Sequence, residues 1–111
     1  MADTQILKIL AQKSPSAAVL TRLYTSPLQA RVQIKSLFVC NRSAGALSYR
    51  VAAVPNGVVT PATHHYIFYN KAIAANDSDS IEAPMFLNGG DYIDVYASSA
   101  DLSFTLFGNE D

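Results

Sequence analysis

The amino-acid sequence predicts an all-β domain, an antiparallel two-sheet β-sandwich of about eight strands with jelly-roll or Greek-key-like connections. Two observations predict this class. Short runs of alternating or continuous apolar residues, the patterns of half-buried and buried strands, cover most of the chain. Clusters rich in Gly, Pro, Asn, Asp and Ser separate those runs at intervals of about seven to eleven residues, as in a sandwich or barrel. The chain has 111 residues, enough for one core and too few for two.

The apolar runs place the individual strands. In the third run the alternation gives way to a stretch that is apolar on both faces, Leu37–Cys40, which predicts that both faces are buried there. The strands are expected near residues 6–12, 18–25, 31–41, 47–54, 64–73, 80–87, 91–98 and 101–108.

The N-terminal residues have a less definite pattern. The stretch Ile6–Leu10 is typical of an edge strand, but Asp3 or Thr4 would also suit the cap of a short helix. We therefore divide the chain into an N-terminal arm or edge strand, residues 1–15, and a β-sandwich domain, residues 16–111. The hypothesis for the arm is a strap, from Asp3 to Lys13, that becomes ordered on docking.

The charge content of the chain is low. Charged residues make up 15% of the sequence and hydrophobic residues 50%, against about 25% charged residues in an average soluble domain. Because interface cores are depleted in charge, this composition favours a subunit of an assembly. The expected state is a homo-oligomer, a trimer or larger. The net charge of −1 gives no basic footprint, and no apolar run reaches the ~18 residues of a membrane span, so neither nucleic acid nor membrane is an expected partner.

Three motifs are candidates for chemistry, and each has a simpler explanation. His64 and His65 would point to opposite faces of a strand and so would not share a metal ion. The segment Asn76–Ser80 lacks the glycine and glutamate of a calcium loop and is explained as a turn. Cys40 lies in an apolar run and is expected to be a small buried hydrophobe. The sequence thus predicts no catalytic residues, no metal and no cofactor, and a protein that is not an enzyme.

Aromatic residues occur on both faces of the fifth predicted strand. Tyr66 and Phe68 fall on one side, and Ile67 and Tyr69 on the other. Since a sandwich buries only one face of each sheet, we expect another chain to cover the second apolar face. The residues predicted at such an interface are Tyr69, Tyr96, Phe107, Ile6, Leu7 and Ile9.

Three parts of the sequence carry a likeness to a known group of proteins. They are Ser36–Ser43 with Tyr49–Ala52, then Ile73–Asp77, then Asp94–Phe104 with Leu106–Gly108. These segments resemble small β-sandwich virion structural proteins of tailed bacteriophages, which are capsid decoration or cement proteins or tail and collar components. The resemblance implies a protein of the virion, assembled in the host bacterial cytoplasm, whose partners are copies of itself and a major capsid or tail protein.

These observations favour one function and leave two alternatives. The leading hypothesis is a non-enzymatic structural protein of a bacteriophage particle, a capsid decoration or cement protein that stabilises the shell through subunit contacts. The alternatives are a tail, collar or baseplate structural component and a carbohydrate-binding β-sandwich module. The sequence contains no Trp, the residue that sugar-binding platforms favour, which argues against the carbohydrate-binding module.

Overall fold

The computed structural model of the protein describes residues 8–82 and 84–110. This part of the chain forms nine β-strands and one short 3-10 turn, Thr63–His65. The strands are β1 Lys8–Lys13, β2 Thr21–Thr25, β3 Val32–Asn41, β4 Leu47–Val54, β5 Tyr66–Ile73, β6 Ser78–Ile81, β7 Met85–Leu87, β8 Tyr92–Ala97 and β9 Leu102–Glu110. No helix in the described ranges is long and apolar enough to cross a membrane.

The strands form two antiparallel sheets that pack face to face. Sheet A has the order β1-β9-β3, with β6 and β7 both paired to the remaining edge of β3, and sheet B has the order β2-β8-β4-β5. The pairs β1 with β9, β2 with β8, β3 with β6 and β7, and β4 with β5 are nested along the chain. A long antiparallel hairpin rolled up in this way is a jelly roll. The predicted two-sheet sandwich is therefore confirmed.

The predicted strand 80–87 is two strands. β6 pairs with Leu37–Cys40 of β3 and β7 pairs with Val32–Ile34, so the two follow each other along one edge of the same strand. Pro84, just before β7, has no amide hydrogen and cannot donate to a ladder, which explains a break at this point. The strand count rises from eight to nine, while the number of positions in the jelly roll stays at eight.

Two predicted strands begin later in the structure than the sequence indicates, and the last strand extends to Glu110. The strand expected over 64–73 begins at Tyr66, because the residues before it form the 3-10 turn. That turn is closed from both ends: the His65 amide donates to the Ala62 carbonyl at 3.0 Å, and the Ala62 amide donates to His65 Nδ1 at 2.9 Å. The strand expected over 18–25 begins at Thr21, after a turn in which Ala18 has a φ of 58°. Of the strand expected over 6–12, residues 6 and 7 lie outside the described residues.

The core lies between the sheets and is centred on β3 and β9 of sheet A and β4 and β8 of sheet B. The largest buried side chains include Tyr49 and Phe104, whose rings meet edge to face at 6.0 Å across the two sheets. Full burial of such a residue contributes roughly 1.5–3 kcal/mol. From Leu37 to Asn41 of β3 the alternation holds, since Leu37 and Val39 are buried and Phe38 and Cys40 face outward. The predicted burial of both faces at Leu37–Cys40 is therefore wrong.

Asn41 ties the end of β3 to two loops. Its side chain is 1% exposed, and Nδ2 donates to the carbonyls of Gly45, Ile73 and Ala74 at 3.0, 3.3 and 3.0 Å. Its Oδ1 accepts a hydrogen bond from the Ser43 amide at 2.9 Å. One buried amide therefore contacts four backbone groups, with its two N–H donors shared among three carbonyls.

The substitution Asn41→Asp tests this role, because the carboxylate keeps the shape of the amide but cannot donate to carbonyls. We expect the free energy of unfolding to fall by about 2–4 kcal/mol, since buried carbonyls lose their partners and face a charge. Urea unfolding at neutral pH measures the change. Asn88→Asp makes the same exchange at an exposed loop residue and should leave the midpoint almost unchanged. Equal midpoints for the two variants would contradict the assignment.

Candidate functional site

The outer faces of the two sheets carry the residues that the sequence predicts at an interface. Ile9 and Phe107 lie together on the outer face of sheet A, which we call face A. Tyr69 and Tyr96 lie together on the outer face of sheet B, which we call face B, on either side of the Arg50 guanidinium. Ile6 and Leu7 lie outside the described residues. The four described residues of the predicted set thus divide between two opposite surfaces.

An apolar stripe of Ile9, Phe107 and Phe38 crosses three strands of face A. Ile9 on β1 is the register partner of Phe107 on β9, and the Phe107 ring meets the Phe38 ring of β3 edge to face at 5.5 Å. Ile9 is 52% exposed and Phe38 37% exposed. Sequence reasoning missed Phe38, although its place between the inward residues of β3 indicates an outward side chain.

The positions that flank the apolar stripe are polar but uncharged. They are Gln12 on β1, Ser36 and Cys40 on β3, Ser80 on β6, and Ser103 and Thr105 on β9. The single charged residue of β3 is Lys35, at the bulge between Ile34 and Ser36. The lysines of β1 reach other parts of the molecule, since Lys8 pairs with Glu110 and Lys13 donates to the Arg22 carbonyl. Face A therefore presents mainly apolar and uncharged polar groups, which is typical of an interface core, with Lys35 and Glu82 in a groove beside Ser36 as the charged exceptions.

Face B is organised around arginines stacked on tyrosines. The Arg50 guanidinium lies 4.3 Å from the Tyr69 ring centre and 4.2 Å from that of Tyr96. Arg50 and Tyr96 are register partners on β4 and β8, which places them side by side. On β5, Asn70 has a φ of 53° within a bulge, and its Oδ1 accepts a hydrogen bond from Arg50 Nε at 2.7 Å.

A second stack on face B has a different electrostatic setting. Arg22 lies 3.4 Å above the centre of the Tyr92 ring, and its Nε donates to Asp94 Oδ1 at 2.9 Å. The Asp94 side chain is almost fully buried, so its charge is compensated mainly by this arginine. Sequence reasoning missed both arginines, since a stack between strands depends on register.

Part of face B is covered by the chain itself. Ala52, Val54 and Tyr92 form a small buried cluster on the outside of sheet B, against which Val58 and Tyr66 pack. The Tyr92 hydroxyl donates to the carbonyls of Val58 and Val59 and holds the β4–β5 connection over the cluster. The expectation that another chain must cover the second apolar face is therefore wrong for this part of face B.

Two carboxylates join the sheets at opposite sides of the sandwich, and we call these sites the clasps. In one clasp, Glu110 of sheet A accepts from the Tyr24 hydroxyl of sheet B and from Lys8 Nζ, the latter at 3.0 Å. In the other, Asp79 of sheet A accepts from the Tyr49 hydroxyl at 2.7 Å and from Lys71 Nζ at 3.2 Å, both on sheet B.

The clasps change proton affinities. Burial, followed by the hydrogen bond to Glu110, raises the pKa of Tyr24 above its ordinary value. Burial and the hydrogen bond to Asp79 raise the pKa of Tyr49 in the same way. The hydrogen bonds from Tyr24 and Lys8 lower the pKa of Glu110.

The three motifs that the sequence analysis considered for chemistry occupy structural positions in the fold. The His64 and His65 rings lie 4.1 Å apart in the 3-10 turn, so the prediction that they point to opposite faces of a strand is wrong. Asp77 Oδ1 accepts from the Ser78 amide at 2.8 Å, and Asp79 belongs to a clasp. Cys40 is half-buried on face A and not a core residue, which corrects its expected position. Within residues 8–82 and 84–110, no three His, Cys, Asp or Glu side chains cluster closely enough to hold a metal ion.

Comparisons with protein-family models, with curated proteins and with solved structures find no match to this chain. The functional interpretation therefore rests on the two faces and on the resemblance of the sequence segments.

The raised tyrosine pKa values predict a loss of stability in alkaline solution. Well below the ordinary tyrosine pKa of about 10, both tyrosines are protonated in the folded and the unfolded chain, so the full contribution of the clasps is present. As the pH rises further, the unfolded chain releases these protons first, and the free energy of unfolding falls.

In the double variant Tyr24→Phe with Tyr49→Phe, the free energy of unfolding should fall less in alkaline solution than it does in the wild type. Urea unfolding at a series of pH values from about 8 to 11 measures it. Tyr69→Phe removes an exposed hydroxyl outside the clasps and controls for the loss of a phenol. The same alkaline fall in the double variant and the wild type would show that the clasps do not cause it.

Proposed function

We propose that the protein is a non-enzymatic structural protein of a bacteriophage particle, a capsid decoration or cement protein that binds its neighbours through face A. The observation that carries this proposal is the apolar stripe of Ile9, Phe107 and Phe38 on a face whose flanking strand positions are uncharged. The resemblance of three sequence segments to virion proteins supports the location in the particle. The jelly roll is compatible with it, since viral capsid proteins use this architecture repeatedly, but a fold alone does not decide a function.

The chemistry of face A suits a permanent contact. Transfer of a charge out of water costs several kcal/mol unless it is paired, whereas hydroxyl and amide groups cost less and readily find partners. Face A has few charges to desolvate, so the ~25 cal/mol gained per Å² of buried apolar area is opposed mainly by the entropy of association. Symmetry strengthens such a contact further when it repeats it over a shell.

The expected partners are copies of this chain, in a trimer or larger ring, and the major capsid protein of the particle. A stable interface buries roughly 800 Å² on each side. The apolar stripe would form its centre, because fully desolvated aromatic residues at the middle of a contact contribute most of the binding energy.

The double variant Ile9→Ser with Phe38→Ser tests face A. We expect the wild-type protein to be a trimer or larger ring by light scattering and to sediment with particles of the parent phage. The double variant should be monomeric and bind particles at least tenfold more weakly, since about 1.4 kcal/mol of lost apolar burial has this effect. The matched control is Val59→Ser with Ile67→Ser, which removes two exposed aliphatic groups from the β4–β5 loop and β5. A monomeric wild-type protein that does not sediment with particles would refute the proposal.

The expected strap runs from Asp3 to Lys13, but its part Lys8–Lys13 is strand β1 and pairs with β9. The strap hypothesis therefore now applies only to the residues that precede β1. Deletion of residues 1–7 removes Ile6 and Leu7 and leaves β1 intact. If these residues dock on a neighbour, the shortened protein should keep its unfolding midpoint but occupy particles about tenfold less at limiting concentration. Replacing residues 1–7 with a Gly/Ser segment of equal length is the control for chain length. Undiminished occupancy would exclude the strap.

A further inference from the structure

Arg50 has no acidic partner within the residues that the structure describes. Its interactions are the stacks on Tyr69 and Tyr96 and the hydrogen bond from Nε to Asn70, a neutral amide. The three ion pairs of the described residues belong to Lys8, Arg22 and Lys71. The cation of Arg50 is therefore held on face B by aromatic rings and a neutral amide, without an ion pair among the described residues, in contrast to that of Arg22.

The surroundings of Arg50 fix the orientation of its guanidinium. Two aromatic rings at 4.3 and 4.2 Å hold its plane, and the bond to Asn70 uses the Nε donor. The terminal nitrogens make none of the hydrogen bonds found in the described part of the chain. A planar fork held in this way matches the two oxygens of a carboxylate, and little further entropy is lost when it binds one.

The shape of the surface indicates the size of the partner. Small ligands bind in concave sites, and Arg50, Tyr69 and Tyr96 line none of the four grooves found on the described residues. Arg50 instead lies half-buried on the outer face of a sheet, beside Tyr69, which is 58% exposed. Arginine and tyrosine are the residues that most often dominate the energy of protein–protein contacts.

We propose that Arg50, framed by Tyr69 and Tyr96, is the docking point for an aspartate or glutamate side chain of a partner protein. Charge complementarity identifies the partner group, because an uncompensated guanidinium among aromatic rings gains most from a carboxylate. The site does not depend on the role of face A, since the two faces belong to different sheets. It gives each copy of the protein a second contact surface with a different chemistry.

Titration of the full-length, isotope-labelled protein with a hexaglutamate peptide tests the site by NMR. The resonances of Arg50, Tyr69 and Tyr96 should shift. Arg50→Gln should weaken binding about tenfold or more, and Arg50→Lys should also weaken it, because the ammonium keeps the charge but not the planar fork. Arg31→Gln is the matched control, since it removes the same charge from an exposed residue between β2 and β3 and should bind as the wild type does.

Several outcomes would overturn the proposal. They are binding by Arg50→Gln that equals the wild type, an equal loss in Arg31→Gln, and shifts confined to other parts of the protein. Oligogalacturonate that shifts the same resonances when hexaglutamate does not would assign the site to an acidic sugar instead. Tyr69→Leu provides a second variant, because it removes one exposed ring without touching the core, and it should weaken hexaglutamate binding if the stack orients Arg50.

Discussion

The antiparallel pairing of β3 with β9 is the contact on which the other parts of sheet A depend. Nine residue pairs, from Val32 with Glu110 to Asn41 with Leu102, join these two strands at the centre of the sheet. Their inward side chains supply much of the core, and their free edges accept β1 on one side and β6 and β7 on the other. The bulge between Ile34 and Ser36 shifts the register once, so that Ile34 and Leu37 both face inward and Ser36 and Phe38 face outward. The same bulge that completes the core therefore also sets the composition of face A.

Strand pattern predicted the class of the fold because most of the chain obeys the period of two. Leu102, Phe104 and Leu106 are buried and the residues between them are not, as simple alternation requires. The errors occur where one residue changes the hydrogen-bonding rules. Pro84 interrupts an edge that otherwise reads as continuous strand, and its missing amide hydrogen was a signal available in the sequence. The 3-10 turn before Tyr66 could not be predicted from the sequence, because it depends on a hydrogen bond from the Ala62 amide to the His65 ring.

The candidate site was predicted less completely than the fold, for a physical reason. Alternation indicates that a side chain leaves the core, but not which sheet it belongs to or what lies beside it. Ile9 and Tyr69 have the same sequence signature of an apolar group on an outward position, yet they lie on opposite faces. Arg50 becomes a candidate site residue only when its neighbours are known. The strand register places Tyr96 beside it, and the left-handed backbone of Asn70 brings a neutral acceptor to its Nε. The composition of the chain does not indicate which side chains become neighbours in the fold.

The two faces also differ in how they would respond to salt, which follows from their chemistry. A contact centred on Ile9, Phe38 and Phe107 is driven by water release, and salts that strengthen the hydrophobic effect would strengthen it. A contact centred on Arg50 is electrostatic, and added salt would weaken it, because the Debye length falls from about 8 Å at physiological ionic strength to about 3 Å at 1 M salt. A subunit with one face of each kind would keep its hydrophobic contact with one neighbour at high salt, while its electrostatic contact with the other neighbour would weaken. This asymmetry is a reason to treat the faces as binding different surfaces, since two copies of the same surface would not need opposite chemistries.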